Sequence, residues 1–263
     1  MRVVVLTKPV PDPASGQDRL GPDYRVDRAA APAVLNGNDE YALEAALRLV
    51  ETHGGEITLL AMAPATAPET LRKGLAMGAH RAVLVTDPAL AGSDIRSTVG
   101  VLAAALAGLE FDLVLAGIDT SDGFAGVVPA ALATLLGLPL LSNAAAIEPD
   151  PEAGRVRVRR IIQGGYDVLE APLPALVSCT QALGAPRYPS LKGIMAARSK
   201  EVVVRSLADL GPTRWPVGGA AAATAVVAVD PPPARGATRT IRASAVEAAR
   251  EIADFLAARR LLP

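Results

Sequence analysis

A glycine-containing stretch in the middle of the chain is the strongest candidate for binding chemistry. It runs from Gly117 to Gly126, reads Gly-Ile-Asp-Thr-Ser-Asp-Gly-Phe-Ala-Gly, and precedes a segment with helical periodicity. Glycines let backbone N–H groups approach an anion, and the positive end of a following helix favours negative charge. The pattern indicates a phosphate site. It matches neither a Walker A loop nor G-x-G-x-x-G, so an ordinary turn between strand and helix is the alternative.

Residues that usually perform catalysis are scattered along the chain. His53 and His80 stand beside glycines with no Cys or carboxylate at motif spacing, which favours surface positions. Cys179 ends an apolar run and is predicted to lie in the core. Asp119 and Asp122 could bind a metal, but acids that shape a loop are the simpler interpretation. We therefore expect no complete active site in this chain.

Composition excludes several classes of protein. The 263 residues include 26 Lys and Arg against 27 Asp and Glu, and a net charge of -1 does not suit a nucleic-acid-binding protein. One cysteine provides no disulfide framework and fits a reducing compartment. There is no apolar run of about 18 residues that could span a membrane. The N-terminal Met-Arg-Val-Val-Val-Leu reads as a core strand rather than a signal peptide. We expect a cytoplasmic protein.

Apolar runs alternate with helical patterns over the first half of the chain. The predicted strands are Val3–Leu6, Ile57–Met62, Ala82–Val85 and Leu113–Ala116. Helices are predicted to begin at Asn38 as a cap, at a capping box of Thr66 and Glu69, at Ser93 and near Ala125. This alternation predicts an α/β fold, a doubly wound and mostly parallel sheet with helices on both faces.

The second half predicts an antiparallel addition and a looser tail. Residues 155–161 alternate Arg with apolar residues, and residues 166–169 run back after two glycines, which predicts an edge hairpin with a solvated basic face. Ala175–Cys179 is a further predicted strand. The terminal segment Ser244–Arg259 is amphipathic, and we expect its apolar face to pack on a partner.

Ligands of a doubly wound sheet bind beyond the carboxyl ends of its strands, near the point where the strand order reverses. Four segments are predicted to meet there: residues 6–8, 36–39, 62–64 and 117–126. A mononucleotide with its phosphate on the last of these would fit this edge of the sheet.

Four strings, taken together, resemble the β subunits of electron transfer flavoproteins, the ETF β or FixA family. Residues 36–49 resemble the family's N-P-x-D-E-x-A-x-E-E-A-x-R-L stretch, and residues 69–79 its E-T-L-R-x-A-L-A-M-G-A helix. Residues 115–126, followed by Leu-Gly-Leu-Pro, are similar to its nucleotide loop. The most specific string is Pro-Arg-Tyr-Pro-Ser-Leu-Lys-Gly-Ile-Met-Ala-Ala at 186–197, which resembles P-R-Y-x-S-L-x-x-I-M-x-A.

The resemblance implies the adenine-nucleotide α-hydrolase-like version of this fold. It would comprise a nucleotide-binding core at 1–185, a partner recognition loop at 186–200, and an arm at 201–263 that packs on an α subunit. That α subunit would hold most of the redox-active FAD, and this chain would bind AMP as a structural nucleotide. The residues implied at the cofactors are Leu6, Lys8, Asn36, Asn38, Asp39, Met62, Gly117, Asp119, Ser121, Asp122, Gly123, Phe124, Ala125, Gly126 and Val127.

The resemblance also implies an electron carrier rather than an enzyme. Electrons would pass from acyl-CoA-type dehydrogenases of fatty acid oxidation to the flavin, and then to a membrane ETF–quinone oxidoreductase. The recognition loop would dock the dehydrogenase transiently, with Leu191 as the anchor and with Arg187, Tyr188, Ile194 and Met195 around it. Read from the residues alone, the side chains of Leu191, Ile194 and Met195 could instead pack under the loop as a small separate core.

Several positions depart from the family pattern. Ala125 stands where a phosphate-binding Thr is common, so backbone amides would have to bind the anion. Ala63 replaces a Gly, His80 replaces an Asp, and Asn38 replaces a bulky residue near the flavin. Residues 119–121 replace Gln-Ala-Ile. These departures concern the nucleotide and flavin contacts more than the fold.

Three alternatives stay open at this point. In one branch of the family a second FAD occupies the AMP site and electrons are bifurcated. The string Ala91-Gly92-Ser93-Asp94 resembles a G-S-D string of that branch, which ordinary members also contain. A stand-alone adenine-nucleotide sensor or hydrolase would need a phosphate loop after the first strand, which residues 7–12 do not supply. A structural chain with a decayed nucleotide site is the third.

Overall fold

The computed structural model describes residues 1–16, 19–230, 233–234, 236 and 238–262. The chain divides into two compact units, Met1–Val227 and Ala228–Pro263. The first unit contains a nine-stranded sheet and a small two-stranded sheet.

Strands and helices alternate through the first half of this unit, as predicted. Besides short 3-10 turns, the elements are β1 (Arg2–Leu6), β2 (Pro9–Pro11), β3 (Ala33–Leu35), α1 (Gly37–His53), β4 (Glu56–Met62), α2 (Pro68–Met77), β5 (Arg81–Val85), α3 (Ile95–Ala107), β6 (Leu113–Gly117) and α4 (Val128–Leu136). The second half continues with β7 (Leu140–Asp150), β8 (Arg155–Ile162), β9 (Gly165–Pro172), β10 (Ala175–Cys179), α5 (Leu191–Ala197), β11 (Val202–Arg205) and α6 (Leu207–Leu210).

The large sheet has the order β11-β5-β4-β1-β6-β10-β7-β8-β9. Every pair from β11 to β7 is parallel, whereas β8 pairs antiparallel with both β7 and β9. The predicted doubly wound, mostly parallel sheet with an antiparallel edge hairpin is therefore confirmed. Strand order reverses between β1 and β6, so the carboxyl ends of these two strands frame the place where a ligand is expected.

The core lies on both faces of the parallel strands. Val3 and Val5 of β1 pack with α1 and α2 on one face, and Val4 and Leu6 pack with α3 and α4 on the other. Both clusters consist mainly of Leu, Val and Ala, as expected from 3% aromatic residues. Small side chains let the helices approach the sheet closely.

Two predicted helix caps are wrong. Helix α1 begins at Gly37 with Asn36 in the N-cap position, and Asn38 lies inside its first turn. Helix α2 has Ala67 in the N-cap position and no side-chain cap, so the predicted box of Thr66 and Glu69 is not formed. The reason is Pro68, whose fixed φ angle and missing N–H suit the first helical position.

Two strands of the large sheet were not predicted from the sequence. Strand β7 pairs parallel with β10 and then antiparallel with β8, and Asn143 at φ 55 interrupts it. Strand β11 has only four residues and pairs with β5 at the other edge. The first compact unit therefore extends beyond residue 185, where the nucleotide-binding core is predicted to end. The predicted division by function stays a proposal.

Residues 214–216, which follow α6 within the first unit, pack back on α3. The Trp215 ring lies against Gly100, where an added Cβ would stand 3.2 Å from the ring atom Cε3. The Ser97 hydroxyl donates a hydrogen bond to the carbonyl of Pro216 at 2.9 Å. This part of the predicted arm thus belongs to the first unit.

The second unit carries the helix α7 (Ala245–Ala258), which begins with a capping box between Ser244 and Glu247. Val246 and Ile252 are exposed on it. No helix within the described residues is long and apolar enough to cross a membrane.

Candidate functional site

The carboxyl end of β6 meets the first turn of α1 at Gly117. A Cβ added to Gly117 would stand 2.6 Å from Oδ1 of Asp39 and 2.7 Å from the backbone carbon of Asn38. Any larger residue would push the helix away from the strand. This contact places the start of α1 beside the loop that follows β6.

Asn36 connects that loop to α1. Its side-chain amide donates a hydrogen bond to the carbonyl of Asp119 at 2.9 Å, and its side-chain oxygen accepts one from the N–H of Ser121 at 3.2 Å. Asn38 also donates to the Asp119 carboxylate. Asn36 is only 1% exposed, and these hydrogen bonds fix the conformation of residues 119–121.

Asp39 lies beneath the loop and joins the ends of β1 and β6. Burial raises the pKa of its carboxyl to about 7, against hydrogen bonds from the Asn36 side chain and the backbone N–H groups of Lys8 and Gly117. The bond from Lys8 measures 2.9 Å. Asp39 is 5% exposed, so it supports the site from below rather than offering a free carboxylate.

Asp122 forms ion pairs with two basic side chains at once. Its carboxylate lies 2.8 Å from the Lys8 ammonium and 2.6 Å from the Arg28 guanidinium, and its side chain is 1% exposed. Burial alone would raise the pKa, but the charge of Lys8 and hydrogen bonds from Lys8, Thr120 and Arg28 lower it to about 2. Asp122 therefore holds the end of β1 and the loop between β2 and β3, which carries Arg28, against residues 118–126. No group of three or more His, Cys, Asp or Glu within the described residues could hold a metal ion.

Residues 123–127 form an exposed stretch in front of α4. Phe124 is 72% exposed and has φ 45, and Gly126 has φ 62, so the predicted helix starts only at Val128. No side chain caps the N-terminus of α4, and none of the side chains at 123–127 can donate a hydrogen bond. An anion bound here would be held by backbone N–H groups.

A cavity of about 460 Å³ opens beside this loop. Ser121 stands on its wall, two residues before the exposed stretch. The other lining residues come from β2 and the two residues after it, from β3, from the start of α1, from Lys73 of α2 and from Gln181. Its volume lies within the range of small-molecule sites.

The segment at 186–197 presents apolar side chains to solvent. Tyr188 is 95% exposed, Leu191 76% and Met195 65%, and Ile194 is also exposed. The alternative that they form a small separate core is therefore wrong. Contiguous exposed apolar side chains mark interaction surfaces.

The comparisons with known proteins agree with these features. A family model of the electron transfer flavoprotein domain matches residues 24–210. Electron transfer flavoprotein subunit beta of Mycobacterium tuberculosis is 39% identical over 266 residues, 99% of either chain. The chain belongs to the electron transfer flavoprotein β-subunit family. The subunit of the same name from Thermoanaerobacterium thermosaccharolyticum is 33% identical over the full length of both chains, and protein FixA of Azorhizobium caulinodans is 40% identical over 80% of this chain and 77% of its own.

Two residues predicted at the cofactors of this ETF β-family chain pack at least partly into the core. Leu6 is 7% exposed and packs with α3 and α4, and Met62 packs partly against the same cluster. Both stand at carboxyl ends of strands, and only Leu6 is restricted to facing a ligand with its backbone, because the Met62 side chain is partly exposed. The role of every predicted site residue remains a proposal.

The two histidines, the cysteine and Asp94 of this ETF β-family chain lie at the surface, in the core and at a helix cap. His53 and His80 are exposed, and Nδ1 of His80 accepts a hydrogen bond from the N–H of Ile57 at 3.0 Å. Cys179 is fully buried, and burial raises the pKa of its thiol, as expected for a core residue. In the string that suggests bifurcation, Asp94 caps α3 by accepting a hydrogen bond from Ser97.

The basic strip at 155–160 is a solvated strand face, as predicted. Arg155 and Arg157 pair with Glu170, and Arg160 pairs with Asp167. Arg28 is a site residue that the sequence did not predict. Because Arg28 lies 94 residues from Asp122 in a loop without periodicity, nothing local in the sequence indicates their ion pair.

Proposed function

We propose that this chain is the β subunit of a heterodimeric electron carrier whose α-type partner holds most of the FAD. Similarity over nearly the whole length to relatives named as β subunits carries this proposal. When bound, the flavin supplies the redox chemistry. The chain's own residues bind a structural nucleotide, contact the α-type subunit and dock a redox partner.

The structural nucleotide in this proposal is AMP. Backbone N–H groups of residues 125–127 and the uncapped start of α4 would hold its phosphate, since the N–H of Phe124 already donates to the carbonyl of Thr120 at 2.8 Å. The ammonium of Lys8, whose side chain is 35% exposed, adds positive charge nearby. The cavity beside Ser121 offers room for the nucleoside.

A nucleotide-hydrolysing function has less support. After β1 the chain enters β2, which pairs with β3, so the place of a phosphate loop is taken by a small antiparallel sheet. The other alternative keeps the electron-carrier function but has a second FAD, instead of AMP, bound at this site.

The first experiment measures nucleotide content. The chain is co-expressed with an α-type subunit, the purified heterodimer is denatured with acid, and released nucleotides are quantified by chromatography. We expect one FAD and one AMP per heterodimer. Two FAD without AMP would establish the bifurcating alternative, turnover of added ATP would establish a hydrolase, and absence of any nucleotide would indicate a decayed site.

We also propose that the segment at 186–197 docks a reduced acyl-CoA-type dehydrogenase, with Leu191 as the anchor, before electrons pass to a quinone oxidoreductase. The exposed side chains of Tyr188, Leu191 and Met195 support this role. A small apolar contact gives fast dissociation, which a shuttle between two partners requires.

A substitution at the anchor tests docking. In the heterodimer, Leu191→Ala should raise the KM for a substrate-reduced acyl-CoA dehydrogenase at least fivefold, because hot-spot residues in small interfaces carry much of the affinity. FAD content and melting temperature should not change, since Leu191 is already 76% exposed. Val168→Ala, an exposed position on β9, is the control. An unchanged KM in Leu191→Ala would contradict the docking role.

A further inference from the structure

The start of the docking segment is attached to α1 by one arginine. Nε of Arg187 donates to Glu44 at 2.8 Å, and Nη2 donates to Glu44 at 3.2 Å and to Glu51 at 3.0 Å. Nη1 donates to Glu51 as well, and the backbone N–H of Arg187 donates to Glu44 at 3.1 Å. Both carboxylates thus hold one guanidinium in place.

This attachment is partly removed from water. The side chain of Glu44 is 5% exposed, and it also accepts a hydrogen bond from Nε of Arg48 at 2.8 Å. Arg48 reaches onward to the carbonyl of Leu183 at 3.0 Å. Burial opposes ionisation of Glu44, but the hydrogen bonds from Arg187 and Arg48 outweigh it and lower the pKa of this carboxyl. Charge-assisted, bidentate contacts of this kind are among the strongest available to a side chain.

The end of the same segment is attached to α2. Gly193 lies so close to this helix that an added Cβ would stand 2.3 Å from the carbonyl oxygen of Ala76. Arg72 donates to the carbonyl of Ala197. The Lys200 ammonium donates to the carbonyls of Leu75 at 2.9 Å and Ala79 at 2.6 Å.

We propose that Arg187 is a positioning residue for partner docking: by attaching the segment to α1, it holds Tyr188 and Leu191 in the conformation that a redox partner binds. This inference rests on the docking role proposed above. It gives Arg187 a different part from the direct contact implied by the resemblance. All three guanidinium nitrogens donate to carboxylates of α1, and the side chain is 35% exposed.

The physical advantage is pre-organisation. A segment that is ordered before binding loses less conformational entropy in the complex, so a few apolar contacts suffice for specific association. Without the guanidinium, the backbone N–H of residue 187 would still donate to Glu44, but the side-chain bonds to Glu44 and Glu51 that hold residues 184–190 on α1 would be lost. Docking would then have to order them, while electron transfer within the docked complex would be unchanged.

Hydrogen–deuterium exchange on the heterodimer tests the attachment directly. Arg187→Ala should raise the exchange rates of amides at 187–194 about tenfold, whereas amides of α2 and of the hairpin should keep their rates. Arg187→Lys and Glu51→Gln should give smaller increases, because each retains part of the ion pair. Arg157→Ala, which removes a comparable surface pair with Glu170, is the control. Unchanged exchange at 187–194 in Arg187→Ala would overturn the inference.

Electron acceptance from a substrate-reduced acyl-CoA dehydrogenase tests the purpose of the attachment. Arg187→Ala should raise the KM for the dehydrogenase about tenfold with an unchanged kcat, and Arg187→Lys should restore part of the loss. A raised KM in Leu191→Ala with a normal KM in Arg187→Ala would overturn the positioning role alone. Normal KM values in both variants would overturn docking through this segment, and the positioning role with it.

Discussion

Phosphate affinity in this chain depends at the residue scale on backbone groups. Among residues 123–127 no side chain can donate a hydrogen bond, and Ala125 is exposed. A hydroxyl at this position would add a donor to a charged ligand.

Ala125→Thr should therefore tighten AMP binding about tenfold, the effect of one added hydrogen bond to a charged group. The measurement is calorimetric titration of AMP into nucleotide-stripped heterodimer. Ala125→Val, which has the same shape without the hydroxyl, is the control and should show no gain. An equal gain in both variants would mean that packing, not hydrogen bonding, sets the affinity.

The positions of the residues around the site can be predicted from the sequence, but their hydrogen-bond and ion-pair partners cannot. The glycines and the asparagines stand where the loop was predicted, because a strand end and a helix start mark these positions locally. The partners of Asp122 and Arg187 could not be predicted, since Arg28 and Glu44 lie 94 and 143 residues away from them. Ion pairs over such separations depend on the completed fold.

At the scale of elements, the approach of α1 to β6 decides where the nucleotide loop lies. Gly117→Ala would place a Cβ 2.6 Å from Asp39 Oδ1 and 2.7 Å from the Asn38 backbone. Helix and strand would have to separate, so the free energy of unfolding should fall by about 1–3 kcal/mol. AMP binding should weaken in parallel.

Gly37→Ala is the matched control, because nothing lies within 4 Å of a Cβ at Gly37, at the start of the same helix. It should leave the stability unchanged or raise it by up to about 1 kcal/mol. Urea unfolding of both variants makes the comparison. A similar loss in the two would show that the close contact at Gly117 is unimportant.

Elements were predictable where the apolar pattern is continuous and less so where it is not. Strands β1, β4, β5, β6 and β10 are buried on both faces and read as apolar runs. Strand β7 changes its pairing partner along its length and contains a left-handed Asn143, so its residues show neither a run nor an alternation. Strand β11 contains an apolar run of three valines, but with only four residues it is too short to be distinguished from a loop without its partner β5.

At the scale of the whole molecule, two buried carboxyl groups make the free energy of unfolding depend on pH in opposite directions. The pKa of Asp122 is lowered to about 2, so its contribution to stability is present above the unfolded value of 3.8 and disappears as the pH falls through 2. The pKa of Asp39 is raised to about 7. Its contribution is complete below 3.8 and disappears as the pH rises through 7.

Stability should therefore decline from about pH 5 to about pH 8 by roughly 2–3 kcal/mol through Asp39 alone. Asp39→Asn, which cannot ionise, should remove this decline, whereas Asp122→Asn should retain it and lose stability at both pH values. Urea unfolding of the purified chain provides the measurement. A decline of the same size in Asp39→Asn would assign it to another group.

The packing of Trp215 on α3 has an optical consequence. It is the only tryptophan of the chain, it lies against Gly100, and the guanidinium of Arg96 stands 5.1 Å from the ring centroid. Ultraviolet emission excited at the indole therefore originates from a single place. A change in its wavelength records water reaching the ring as residues 211–217 leave the helix. The protein thus carries its own fluorophore, which reports this one contact without any label.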